Sequence, residues 1–108
     1  MQYLLLIYQN EASFEKVDQA AMFEEYRAFS AGIVKSGQMR GGNALEGSST
    51  ATTVRIRDGK VLTTDGPYTE TKEQLGGYYR VEAKDLDEAI KVAAGISGAS
   101  LGGIEVRP

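Results

Sequence analysis

The 108-residue chain contains no cysteine and no histidine. Without cysteine there is no disulfide framework to indicate secretion and no thiolate nucleophile. Without either residue, ordinary zinc sites, His-ligated haem and every Ser-His-Asp or Cys-His arrangement are excluded. The usual general base near neutral pH is missing too. Proton-transfer chemistry would have to use a carboxylate, lysine or tyrosine with a shifted pKa. There is also no Lys/Arg-rich run: 12 basic against 15 acidic residues leave a net charge of −3. No basic face is expected, and so no nucleic-acid partner. The one apolar run near the N-terminus, MQYLLLIYQN, is short and has no positive region before it. It reads as neither a signal peptide nor a bilayer span, so no membrane partner is expected and a cytoplasmic location is.

The length and composition, 42% hydrophobic and 25% charged, fit a single domain over residues 1–108 that folds without staples. QYLLLIY (2–8) is apolar in both registers, as a central strand covered on both sides would be. QNEAS (9–13) reads as a loop, with Ser13 placed to cap a helix over 14–36. Met22, Phe23, Tyr26, Phe29 and Ile33 form the apolar stripe of that helix, and Gly37 stops it. QMRGGNALE (38–46) reads as a strand whose glycine pair, Gly41 and Gly42, marks a bulge or a close backbone approach. ATTVRIR, Asp58-Gly59 and KVLTT form a hairpin with a type I′ turn. LGGYYRVEA, beginning at Leu75, is a further strand. Asp85 to Glu88 is a capping box ahead of a second helix with Leu86, Ala89, Ile90 and Ala93 on one face. LGGIEVR (101–107) is a last strand with Ile104 and Val106 inward, Glu105 and Arg107 outward.

This order predicts an α+β ferredoxin-like plait: an antiparallel sheet, two helices on one face and an inserted β-hairpin. Both registers of the first strand are apolar, so the face without helices needs cover. A second copy is the simplest cover, making a homodimer the expected state.

Candidate site residues concentrate in TTDGPYTETKEQLGGYY (63–79). Asp65-Gly66-Pro67 has the chemistry of a turn, in which Asp65 would accept backbone N–H bonds. It could equally present Asp65 as a catalytic carboxylate at a cleft. Tyr68, Glu70, Thr71, Lys72 and Glu73 form a polar cluster. They read either as a solvated loop with a local Glu–Lys pair or as a wall that orients a small polar ligand. Arg40 and Arg107 are candidate ligand-binding cations. The competing reading for Arg107 is an ion pair with Glu105, and its other candidate partner is Asp65. Arg55 and Arg57 read as solvated. One of Tyr78 and Tyr79 belongs to the core, and the other faces the dimer or a cleft. A metal site from Asp65, Glu70 and Glu73 matches no known loop spacing, so neither metal nor cofactor is expected.

The string ATTVRIRDGKVLTTDGPYTETKEQLGGYYRVEAKDLDEAI, the closing GGIEVRP, the opening MQYLLLIY and the GGNAL segment resemble the DGPF family of YCII-related proteins. The resemblance covers essentially the whole chain, with Tyr68 where the family has phenylalanine. It implies a dimeric α+β barrel made by two ferredoxin-like subunits meeting sheet to sheet. It also implies, for some relatives, a functional link to extracytoplasmic-function sigma factors. The wider group carries a His-Asp pair proposed as catalytic, and one branch performs a dehydrochlorination. Asp65 matches the DGPF aspartate, but this chain has no histidine to complete that dyad. Three classes of function follow as expectations. The first is a protein that binds a small polar or acidic ligand beside the DGPY loop, in a regulatory setting. The second is a cofactor-free lyase, isomerase or oxygenase working through carboxylate and tyrosine. The third is a purely structural dimer or protein-interaction module.

Overall fold

A computed structural model describes residues Met1–Pro108. Strands β1 (Gln2–Asn10), β2 (Met39–Ala44), β5 (Glu73–Glu82) and β6 (Gly102–Arg107) form a sheet in the order β2-β5-β1-β6. Every adjacent pair is antiparallel. Strands β3 (Thr52–Arg57) and β4 (Lys60–Asp65) pair only with each other. The helices are α1 (Glu11–Glu15), α2 (Gln19–Lys35) and α3 (Leu86–Ala94). The crossover through α2 joins β1 to β2 over β5, and the one through α3 joins β5 to β6 over β1. This is the ferredoxin-like α+β plait expected from the element order. No helix is long and apolar enough to cross a membrane.

The pleat of β1 divides its apolar residues between two faces. Tyr3, Leu5 and Ile7 are buried beneath the helices, with Tyr79 and Val81 of β5, Ile33 of α2, Ala89 and Ala93 of α3, and Ile96. Leu5 is fully buried, worth about 1.5–3 kcal/mol in transfer free energy. Tyr79 is thereby the core member of the tyrosine pair. Its ring meets Phe29 edge-on at 5.1 Å, and its hydroxyl lies 2.9 Å from the Ser30 hydroxyl. Leu4, Leu6 and Tyr8 point to the opposite face, where no helix lies, and are only half-buried. Tyr78 shares that face, its hydroxyl accepting a 3.0 Å bond from Asn43. Ile104 and Val106 pair with Ile7 and Leu5 on the helix side, so Glu105 and Arg107 lie on the open side.

The helical segment departs from the single helix 14–36. Asn10, not Ser13, caps α1, accepting the Ser13 N–H at 3.1 Å. The chain then breaks, and Asp18 caps α2 by accepting the Ala21 N–H at 3.1 Å. Asparagine, aspartate and serine cap comparably well, and Ser13 already lies inside the turn that Asn10 caps. Only Ile33 of the expected stripe is fully buried, and Phe23 is 71% exposed. Likewise Ala89 and Ala93 carry the contact of α3 while Leu86 and Ile90 stay half-exposed. In the capping box, Asp85 accepts the Glu88 N–H at 2.9 Å. Glu88 reaches back to the N–H of Lys84 instead of Asp85.

The glycine pair in β2 marks both features expected of it. The register with β5 shifts between Met39 and Gly41, and a Cβ on Gly42 would sit 2.7 Å from the Tyr78 carbonyl oxygen. The hairpin turns on Asp58 and Gly59 at φ 52° and 74°, as type I′ requires. Its strands extend beyond the rest, leaving Val54, Ile56 and Val61 60–67% exposed. The Cα radius of gyration, 15.6 Å, exceeds the roughly 13 Å of a compact domain this long.

Candidate functional site

The DGPY loop leaves the end of β4 and is tied to the hairpin by backbone groups. Gly66, at φ 110°, donates its N–H to the Ala51 carbonyl at 2.7 Å. The Gly66 carbonyl accepts the Thr53 hydroxyl at 2.9 Å, and Thr53 is buried. The carboxylate of Asp65 is exposed, accepts no hydrogen bond from the chain and has no ion-pair partner. The expectation that Asp65 holds the turn by accepting backbone N–H groups is therefore corrected. Glycine supplies the backbone angle and threonine supplies the tie. Tyr68 lies under the Arg55 guanidinium, 4.8 Å from its ring centroid, so Arg55 is engaged and half-buried, not fully solvated. Beyond it, the Gln74 amide donates to the carbonyls of Thr69 and Thr71 at 2.9 and 2.7 Å, and Thr71 donates to the Glu73 carbonyl at 2.6 Å. These bonds give residues 69–74 a fixed shape.

This loop forms one wall of a cleft of about 1010 Å³. Tyr8 and Glu105, from the open side of the sheet, form another wall, and the 45–51 segment forms a third. Of the candidate residues, Tyr68, Thr71, Lys72 and Glu73 line this space. Asp65, Glu70, Arg40 and Arg107 do not. Arg40 sits on β2 at the far edge of the sheet, donating to the carbonyls of Gly37 and Met39 at 2.6 and 3.1 Å. Arg107 pairs with Glu105 two residues earlier on β6, not with Asp65. Lys72 forms no ion pair with Glu70 or Glu73. Tyr8, Glu46 and Ser48 were not singled out from the sequence. For Tyr8 the signal was its register, shared with Leu4 and Leu6. Nothing local in Glu46 or Ser48 distinguished them from ordinary loop residues.

Glu11 anchors the third wall. Its carboxylate accepts both the hydroxyl and the backbone N–H of Ser48, the latter at 2.8 Å. The hydroxyl bond first, and the N–H bond second, lower its pKa below the ordinary glutamate value of 4.5. A depressed folded-state pKa contributes stability that is present above the unfolded value. That contribution is lost as pH falls through the lower folded value.

Three outcomes are expected. Thr53→Val should cost about 1 kcal/mol, whereas Asp65→Asn should change stability by less than about 0.5 kcal/mol, both read from urea midpoints. In a carboxyl NMR titration, Ser48→Ala should raise the Glu11 midpoint toward 4.5. The urea-midpoint difference between wild type and Glu11→Gln should vanish as pH falls below that midpoint.

Comparison with known proteins agrees with this architecture. Residues 1–108 match the YCII-related domain. An uncharacterized protein of Rhizobium meliloti (strain 1021) is 34% identical over 113 residues, covering 100% of this chain and 91% of that protein. With the plait, the DGPY turn and a full-length match in agreement, the chain belongs to the YCII-related family.

Proposed function

We propose that this protein is a homodimer that binds a small polar molecule in the cleft beside the DGPY loop. The observation that carries this reading is the cleft itself. It has a fixed loop for one wall and the end of an apolar sheet face for another. Its charged lining is Glu46, Lys72, Glu73 and Glu105, the last already paired with Arg107. Carboxylates outnumber the single ammonium group, which favours a polar ligand with an amine or hydroxyl donor over an acidic one.

The same reading accounts for the open face of the sheet. Leu4, Leu6, Tyr8 and Tyr78 stand there without cover, and the hairpin adds the exposed strip Val54, Ile56 and Val61. Monomeric soluble proteins rarely leave so much contiguous apolar surface in water. A second subunit, meeting this one sheet to sheet about a twofold axis, would bury both Tyr8 rows and close the cleft's inner wall.

A thermal-shift screen of small amines, polyols and amino acids tests the ligand. A ligand at about 100 times its Kd should stabilise the wild type by about 2.7 kcal/mol, and Lys72→Ala and Glu73→Gln should each reduce that shift. A screen without hits, or hits indifferent to both variants, would rule the cleft out. For the assembly, sedimentation velocity should give a dimer for the wild type and a monomer for Leu6→Lys. A monomeric wild type would refute the sheet-to-sheet pairing.

A further inference from the structure

The helix side of the sheet holds a second cavity of about 830 Å³, which shares only Leu45 with the lining of the cleft. It lies where α1 and the first half of α2 arch over one end of β1, β2 and β5. Its floor is built from glycine: Gly42, Gly76 and Gly77 all line it. Its walls are mostly apolar, with the rings of Phe14, Phe23, Tyr26 and Tyr79 among them. Glycines on a sheet usually let a helix settle closely onto it. Here the helix stands off, leaving Phe23 71% exposed. None of its 18 lining residues is charged, in a chain where 25% are.

We infer that this cavity binds a neutral, planar aromatic molecule carrying one hydrogen-bonding oxygen. The flat glycine floor beneath aromatic walls sets the shape. The absence of any ionised side chain sets the charge, since a charged ligand would be desolvated without a partner. The oxygen answers the one lining amide without a hydrogen-bond partner in the chain. Ser30 is engaged with Tyr79, Asn43 donates to Tyr78, and Gln19 donates to the Phe14 carbonyl. The Gln9 amide has no hydrogen-bond partner within the chain and stands in the cavity wall. A Cβ on Gly76 would come within 2.7 Å of its Nε2, so the glycine keeps room for this amide. The volume lies in the ordinary range of small-molecule sites, roughly 300–1,000 Å³.

The chain has three methionines, Met1, Met22 and Met39, and the last two line the cavity. Protein labelled with ¹³C at the methionine methyls therefore gives two reporters and one internal control. With 2-naphthol as the probe, the Met22 and Met39 signals should move saturably while Met1 stays still. Ala20→Phe and Ala44→Phe place a ring in the cavity from opposite walls, at exposed positions. Each should weaken naphthol binding about tenfold or more. Gln9→Leu should weaken naphthol more than it weakens naphthalene. Lys72→Ala, in the other site, should leave naphthol binding unchanged, so this inference and the cleft reading fail separately. The Met1 signal and far-UV circular dichroism report folding, and either blocking variant suffices alone. Unmoved Met22 and Met39 signals up to the solubility of the probe would overturn the inference. So would equal binding in a folded blocking variant. So would Met22 and Met39 shifts that follow protein concentration without naphthol, because a second copy would then be the occupant.

Discussion

A β-strand delivers alternate residues to opposite faces of its sheet, and β1 delivers apolar residues to both. Tyr3, Leu5 and Ile7 satisfy this demand beneath α2 and α3, while Leu4, Leu6 and Tyr8 meet no helix at all. Much of the remaining structure answers that asymmetry. The helices take one face because both crossovers return on that side. The other face leaves Leu4, Leu6, Tyr8 and Tyr78 half-buried, with no helix over them. The small core, ten hydrophobic residues of which three are alanine or smaller in reach, is what one covered face allows. A larger core would require the second face to be closed.

The chemistry of the two faces diverges at one end of the sheet. Tyr8 and Gln9 are neighbours on β1, yet Tyr8 lines the charged cleft and Gln9 lines the uncharged cavity. The same division runs along β5. Gln74 and Leu75 belong to the cleft, and Gly76, Gly77 and Tyr79 belong to the cavity. The register of β1 against β5 slips between Ile7 and Tyr8, leaving Gly76 as the extra residue. A bulge redirects the strand locally, and glycine at that point avoids a side chain against Gln9. The glycine run after the DGPY loop is thus a structural joint between two spaces of opposite polarity.

The topology was readable from the sequence because its signals are local and redundant. The double apolar register of β1, the Asp58-Gly59 turn and the Asp85 cap each constrain a few neighbouring residues and agree with one another. The helix break was less readable. Asn10, Ser13 and Asp18 are all competent caps, and only tertiary contacts choose among them. Glu11 contributes to that choice by tying α1 to Ser48, a contact across 37 positions that no local pattern contains. The candidate site was legible in part for the same reason. Tyr68, Lys72 and Glu73 share one loop and reach one cleft, but Arg40 and Arg107 were grouped with them by charge alone. The strand order puts Arg40 at the opposite edge, and a nearer carboxylate claims Arg107.

Asp65 illustrates how a motif can be structural and still leave a residue uncommitted. A turn made of Asp, Gly and Pro invites the view that each residue serves the turn. Gly66 and Thr53 already supply its backbone angle and its buried tie. Pro67 fixes its own φ and needs no donor. What remains for Asp65 is a carboxylate at the surface with no partner in the chain, next to the loop that walls the cleft. Turn chemistry therefore accounts for Gly66 and Pro67 without accounting for the acid beside them. The fold commits that carboxylate to no partner within the chain.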